Sequence, residues 1–236
     1  MHRLAIDIDT VAYVRNLLNG KEPDPVHALV MAEIGGAESI VCYLRDDLRT
    51  VNERDIAIFK QIVKTYLNIR TNLTEDNVHK LMRLKPDMVT FVAPGAAETT
   101  EPIAMDLNIY FSELQKYIAE LRTNGILSSV LIEPEISQIK LAGKLEFDYV
   151  ELSAKDLIEA EDMNSEVETI EQLSGISLAA GKLGIGVNIS GNIRYDNVRD
   201  IKMIDNVEDI IIGTPIFNKA LSIGYEQAVR DFISQL

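Results

Sequence analysis

The sequence predicts a (β/α)8 barrel with extra helices, and three observations predict it. About eight short apolar runs alternate with about eight helical segments, the pattern of repeated βα units. The chain has 236 residues, the length that eight such units occupy. Gly191 and Gly213 follow the seventh and eighth runs, where barrel loops often bind phosphate through backbone N–H groups. The bland alternative is that both glycines serve tight turns. A doubly wound sheet also alternates, but usually with fewer strands per domain.

The first strand is Leu4–Ile8, within Asp7-Ile8-Asp9-Thr10. Pro23-Asp24-Pro25 opens a helix, with Asp24 as cap and Pro25 in the first turn; Gly35-Gly36 ends it. The second strand, Ser39–Leu44, is apolar throughout and runs into Arg45-Asp46-Asp47-Leu48-Arg49-Thr50. Asn52, with Asp55 three residues on, caps a helix to Lys64. Tyr66–Ile69 is the third strand, ending at Arg70, and Thr74 starts the next helix, stopped by Lys85-Pro86. Met88–Val92 is the fourth strand. A Pro94–Pro102 loop and a helix over Leu107–Thr123 follow, with the extra helices expected near the Pro94–Leu107 connection.

Ile126–Ile132 is the fifth strand, then a short helix to Leu141. Phe147–Leu152 is the sixth, carrying Glu151, followed by an acidic loop and helix that end at Leu183. Gly184–Ile189 is the seventh, then Ser190-Gly191-Asn192 and a short helix over Tyr195–Met203. Asp209–Ile212 is the eighth, followed by Gly213-Thr214 and one helix over Phe217–Ile233.

Composition narrows the function classes. The net charge of −14 argues against nucleic-acid binding, which needs clustered Lys and Arg. No apolar stretch is long enough to span a bilayer. The single cysteine, Cys42, excludes an intramolecular disulfide and fits a reducing cytoplasm. The N-terminus lacks a signal-peptide pattern, and with no linker composition a single domain over 1–236 is the simpler organisation. No zinc-ligand spacing, Walker loop or hydrolase elbow is present, so no cofactor is expected. Asp7 and Asp9 would share one face of a strand. They could hold a divalent cation, but paired carboxylates at a barrel mouth more often meet arginines such as Arg45 or Arg70. Arg45 and Arg49 could grip one anion, or form a surface ion-pair cluster with Asp46 and Asp47.

The order and spacing of several short motifs run end to end. They include Asp7-Ile8-Asp9 with Arg15-Asn16, Pro23-Asp24-Pro25, Ala32-Glu33 with Gly36-Ala37, and Leu44-Arg45-Asp46 with Arg49 and Arg54-Asp55. Lys85-Pro86, Thr99-Thr100-Glu101, Glu151, Val187-Asn188, Tyr195 with Asn197-Val198, and Ile212-Gly213 complete the set. In these the chain resembles the pyridoxine 5′-phosphate synthase family of vitamin B6 biosynthesis. That family joins an aminoacetone phosphate to deoxyxylulose phosphate, with loss of water and phosphate.

The resemblance implies catalytic groups at three positions: a histidine before the Leu-Arg-Asp motif, a glutamate at the third strand and a histidine after the seventh. Here those positions carry Tyr43, Arg70 and Gly191, none a useful base near neutral pH. Family histidines elsewhere correspond to Thr10, Thr50 and Thr214, a phosphate-binding arginine to Leu18, and a first-strand asparagine to Asp7, which would repel phosphate.

Asp9, Arg45 and Thr100 match family contacts to deoxyxylulose phosphate. Gly213 matches a backbone phosphate contact, and Asn192 replaces a glycine. Glu151 would serve as an acid or base, or fix a neighbouring loop. His2, His27 and His79 fall outside the motifs. The resemblance also implies a homo-oligomer and a phosphorylated small-molecule ligand. Two function classes stand: a barrel that binds such a ligand without efficient synthase activity, and an active enzyme working by an altered mechanism or on another phosphorylated compound.

Overall fold

The computed structural model describes residues 2–95, 101–159, 163–191 and 193–236. Its eight strands are all parallel and close in sequence order, β1 pairing with β8 as well as β2. The elements are β1 (Arg3–Asp7), α1 (Asp9–Leu17), α2 (Pro25–Gly35), β2 (Ser39–Leu44), α3 (Glu53–Ile62), β3 (Tyr66–Asn72), α4 (Glu75–Leu84) and β4 (Met88–Val92). There follow α5 (Leu107–Thr123), β5 (Leu127–Ile132), α6 (Ile136–Leu145), β6 (Tyr149–Ser153), α7 (Asp156–Glu159) and α8 (Met163–Lys182). The last are β7 (Gly186–Ser190), α9 (Val198–Ile201), β8 (Val207–Ile212), α10 (Thr214–Ile223) and α11 (Tyr225–Ile233).

The capping signals act where the sequence places them. Asp24 accepts the Val26 N–H at 2.9 Å, and Gly36 leaves α2 at φ +107, a conformation that costs a residue without a Cβ least. Asn52 and Asp55 exchange side-chain and backbone hydrogen bonds at 3.1 Å in both directions. Asp55 also receives both Arg15 guanidinium nitrogens at 2.8 Å, which ties α3 to α1. The main core lies between strands and helices, with Ile40, Cys42 and Leu44 of β2 turned into it. Among the described residues no helix is long and apolar enough to cross a membrane.

Four local expectations need correction. Helix α1 follows β1 directly; Ile8, at its cap, makes no side-chain capping bond, so the usual start signal is missing. Strand β3 continues to Asn72, which puts Arg70 inside the strand. The final helix is two helices, broken at Gly224 (φ +85, ψ 155), and it starts at Thr214 rather than Phe217. The extra helices are α1, α7 and one of the α10–α11 pair. The described residues between Ala93 and Asp106 form no helix; an antiparallel bridge joins Ala93 to Ile103.

Candidate functional site

The register sets Arg70 beside Tyr43 on β2 and Thr90 on β4. Its guanidinium is 2% exposed and crosses the barrel interior. Nη2 and Nε donate to Glu151 Oε1 on β6 at 2.6 and 3.1 Å, and Nη1 donates to Asp7 Oδ2 on β1 at 2.5 Å. Ser190 Oγ donates to Glu151 Oε1 at 2.5 Å. Burial opposes the guanidinium charge, but the Glu151 and Asp7 carboxylates outweigh it, so its pKa is raised and the charge is permanent. Glu151 thus binds Arg70 and Ser190 together in the barrel interior. The positions that the resemblance equates with a family glutamate and asparagine thus carry an arginine and an aspartate that bind each other.

Asp9 is the first residue of α1, not a strand neighbour of Asp7, and the two do not share a strand face. Its N–H donates to Asp7 Oδ1 at 2.8 Å, and its Oδ1 accepts the Tyr43 N–H at 2.8 Å. Burial, then the adjacent Asp7 charge, pushes the Asp9 carboxyl well above the usual range. Among the described residues no group of three or more His, Cys, Asp or Glu is placed to hold a metal ion.

Arg45 and Arg49 both lean on Asp47. Arg45 donates to it twice, at 2.9 and 2.7 Å, and Arg49 Nε lies 3.7 Å away. Asp46 instead accepts from Asn77 at 2.8 Å. The Arg45 guanidinium sits 5.4 Å from the Tyr43 ring centroid, and Thr50 donates its hydroxyl to the Tyr43 carbonyl. Tyr43 itself is 1% exposed and packs with Val92, Leu131 and Ala104. Its phenol is pushed up to about 12, chiefly by burial, so it is neutral at physiological pH.

A cavity of about 130 Å³ opens at the carboxyl ends of β1, β6, β7 and β8, with Asp7, Asp9, Thr10, Gly191, Gly213 and Thr214 in its wall. The Thr10 and Thr214 hydroxyls lie 2.9 Å apart. Gly191 has φ +96, and a Cβ there would stand 3.3 Å from the Ala154 and Lys155 nitrogens. A Cβ on Gly213 would stand 3.0 Å from the Asp7 Cβ and carbonyl oxygen. Arg70 and Lys155 also line the cavity, whereas Tyr43, Arg45, Arg49 and Thr50 do not. Thr100 and Asn192 lie outside the described residues. Lys155 was not singled out from the sequence; its place just past the sixth strand, within an acidic stretch, was the available signal.

No histidine reaches this cavity. His2 makes ring-nitrogen contacts with the Val207 and Lys202 carbonyls at 2.8 and 2.7 Å. His27 lies on α2 in the groove facing α10 and α11, and His79 is 4.0 Å from Glu120.

Parallel strands closed in sequence order, with polar side chains gathered at their carboxyl ends, define a (β/α)8 barrel, the fold class whose members carry their sites on that face. Residues 4–236 match the family described as "Pyridoxal phosphate biosynthesis protein PdxJ". The pyridoxine 5′-phosphate synthase of Geotalea daltonii is 35% identical over 233 residues, covering 99% of this chain and 98% of that protein. That of Geobacter sp. strain M21 is 36% identical over 231 residues, covering 98% and 97%. The chain belongs to the pyridoxine 5′-phosphate synthase family. Solved structures share the fold at low identity. Thiamine phosphate pyrophosphorylase from Pyrococcus furiosus superposes with a TM-score of 0.63 at 16% identity, covering 99% of this chain and 94% of that one.

Proposed function

We propose that this family member keeps a pocket for one phosphorylated small molecule but does not efficiently form pyridoxine 5′-phosphate. The observation that carries the reading is Arg70, held between Asp7 and Glu151. The resemblance puts a carboxylate base at that position. A guanidinium tied to two carboxylates neither accepts a proton nor leaves Glu151 free to do so. Tyr43 and Gly191 supply no base in place of the family histidines. Three positioned acid–base groups, each worth about 10²–10⁴ in rate, are missing together.

Ligand binding finds support in other features. The Thr10 and Thr214 hydroxyls meet at the start of α10, where helix N–H groups favour an anion. The repulsion expected from Asp7 is offset by its ion pair with Arg70. Arg45 and Arg49, clustered on Asp47, would form a second anion contact only by exchanging that partner.

The test supplies the protein with both family substrates, alone and together. A thermal shift with one phosphorylated compound, and no pyridoxine phosphate from the pair, is the expected result. Formation of product at a rate typical of the family refutes the reading. We also infer a homo-oligomer, as the family resemblance implies; a monomer in light scattering at micromolar concentration refutes that.

A further inference from the structure

Outside the mouth, the ends of α1, α2 and α3 enclose a cleft walled by Arg15, Asn16, Lys21, Asp24, Arg54 and Asp55. Among the described residues it shares no wall residue with the cavity at the strand ends. Three cations line it, in a chain whose net charge is −14. Lys21 and Arg54 are exposed. Among the described residues neither side chain forms an ion pair or a hydrogen bond. Arg54 is the second residue of α3, in the first turn, where the helix dipole disfavours a cation. Lys21 stands just ahead of Asp24, the cap of α2. Both charges thus lie at helix N-termini without a counter-charge.

The carboxylates nearby are committed elsewhere. Asp55 receives both Arg15 guanidinium nitrogens at 2.8 Å, and Asp24 accepts the Val26 N–H at 2.9 Å. Glu53, beside Arg54, meets Lys80 at 3.0 Å. Arg15, Lys21 and Arg54 set against Asp24 and Asp55 leave the cleft one net positive charge. A small oxyanion supplies the missing partner, since guanidinium and ammonium groups bind such oxygens by charge-assisted hydrogen bonds. The wall also reaches the loop between β2 and α3. Asn16 accepts from Arg15 Nε at 3.0 Å and donates to the Leu48, Arg49 and Thr50 carbonyls at 3.1, 2.9 and 2.7 Å. Leu48 is held there at φ +53, a conformation costly for a residue with a Cβ.

We propose that this cleft is an anion site separate from the mouth, taking a small oxyanion between Lys21 and Arg54, and that its occupancy steadies the Leu48–Thr50 turn through Asn16. The site does not depend on the mouth pocket proposed above. The test titrates inorganic phosphate into the full chain and follows the backbone amide signals by NMR, at about 0.15 M chloride to screen diffuse attraction. Saturable shifts at Lys21, Val26 and Arg54 are expected, with slower hydrogen exchange over Leu48–Thr50. Lys21→Ala and Arg54→Ala, both at exposed positions, should each weaken the response at least about tenfold, the weight of one charge-assisted hydrogen bond. Lys21→Arg should keep it. The signals of Gly213 and Thr214 report the mouth separately, and neither alanine variant should alter their response. Shifts that rise linearly without saturation, or that saturate only at Gly213 and Thr214, overturn the cleft site; the second result leaves the mouth pocket standing. Saturable shifts at the cleft with unchanged exchange over Leu48–Thr50 overturn the coupling.

Discussion

Asp9 Oδ1 accepts the Tyr43 backbone N–H at 2.8 Å while the Asp7 carboxylate binds the Asp9 N–H at the same distance. The bond to Tyr43 favours the Asp9 anion; burial and the Asp7 charge disfavour it more strongly, and the net shift is upward. A carboxyl with a raised folded pKa binds more protons folded than unfolded, from its ordinary value of 3.8 up to its own. Stability therefore falls as pH rises through that window. Asp9→Asn should remove this decline. Relative to wild type the variant should gain up to about 1.4 kcal/mol per pH unit within the window. Urea unfolding at pH 5, 6.5 and 8 checks it; parallel curves for the two proteins would show that Asp9 is ionised throughout.

Arg70 is expected to matter for stability as well as for chemistry. Arg70→Met leaves the fully buried Glu151 and the partly buried Asp7 without their cation. Breaking a buried pair in this way costs about 3–5 kcal/mol. Adding Glu151→Gln should recover a part of the loss, because one uncompensated charge disappears with it. A double variant no more stable than Arg70→Met would argue against the ion pair as the cause.

Introducing at position 191 the histidine that the family resemblance implies should fail. Gly191→His puts a side chain at φ +96, where only glycine is unstrained, and presses its Cβ on the turn at Ala154. A loss of about 1–3 kcal/mol is expected, with no gain of synthase activity. A variant that melts with the wild type would mean that the turn relaxes freely.

The barrel was legible because its signals are local. Asp24, Asn52 and Thr74 cap the helices they precede in the sequence, and the apolar runs fall on strands. The break at Gly224 was hidden because one glycine within an apolar helical pattern is tolerated at a cost of about 1 kcal/mol and need not end a helix. Helix α1 was hidden because Asp9 reads as a loop acid next to a strand. In the site, the candidate residues were visible but their pairings were not. Arg70 looked like the last residue of a strand, and its partners come from β1 and β6, far away in sequence. Lys155 enters the cavity only through the closure of the barrel.

We infer that the Arg70–Asp7–Glu151 network stands in place of the acid–base groups that the family resemblance implies. The most direct measurement compares this protein with the Geotalea daltonii synthase under identical conditions. Both receive deoxyxylulose phosphate and aminoacetone phosphate, and pyridoxine phosphate is followed over time. The expected rate is at least about 10⁴-fold below that relative, as the loss of several positioned acid–base groups implies. A rate within tenfold of the relative would contradict it.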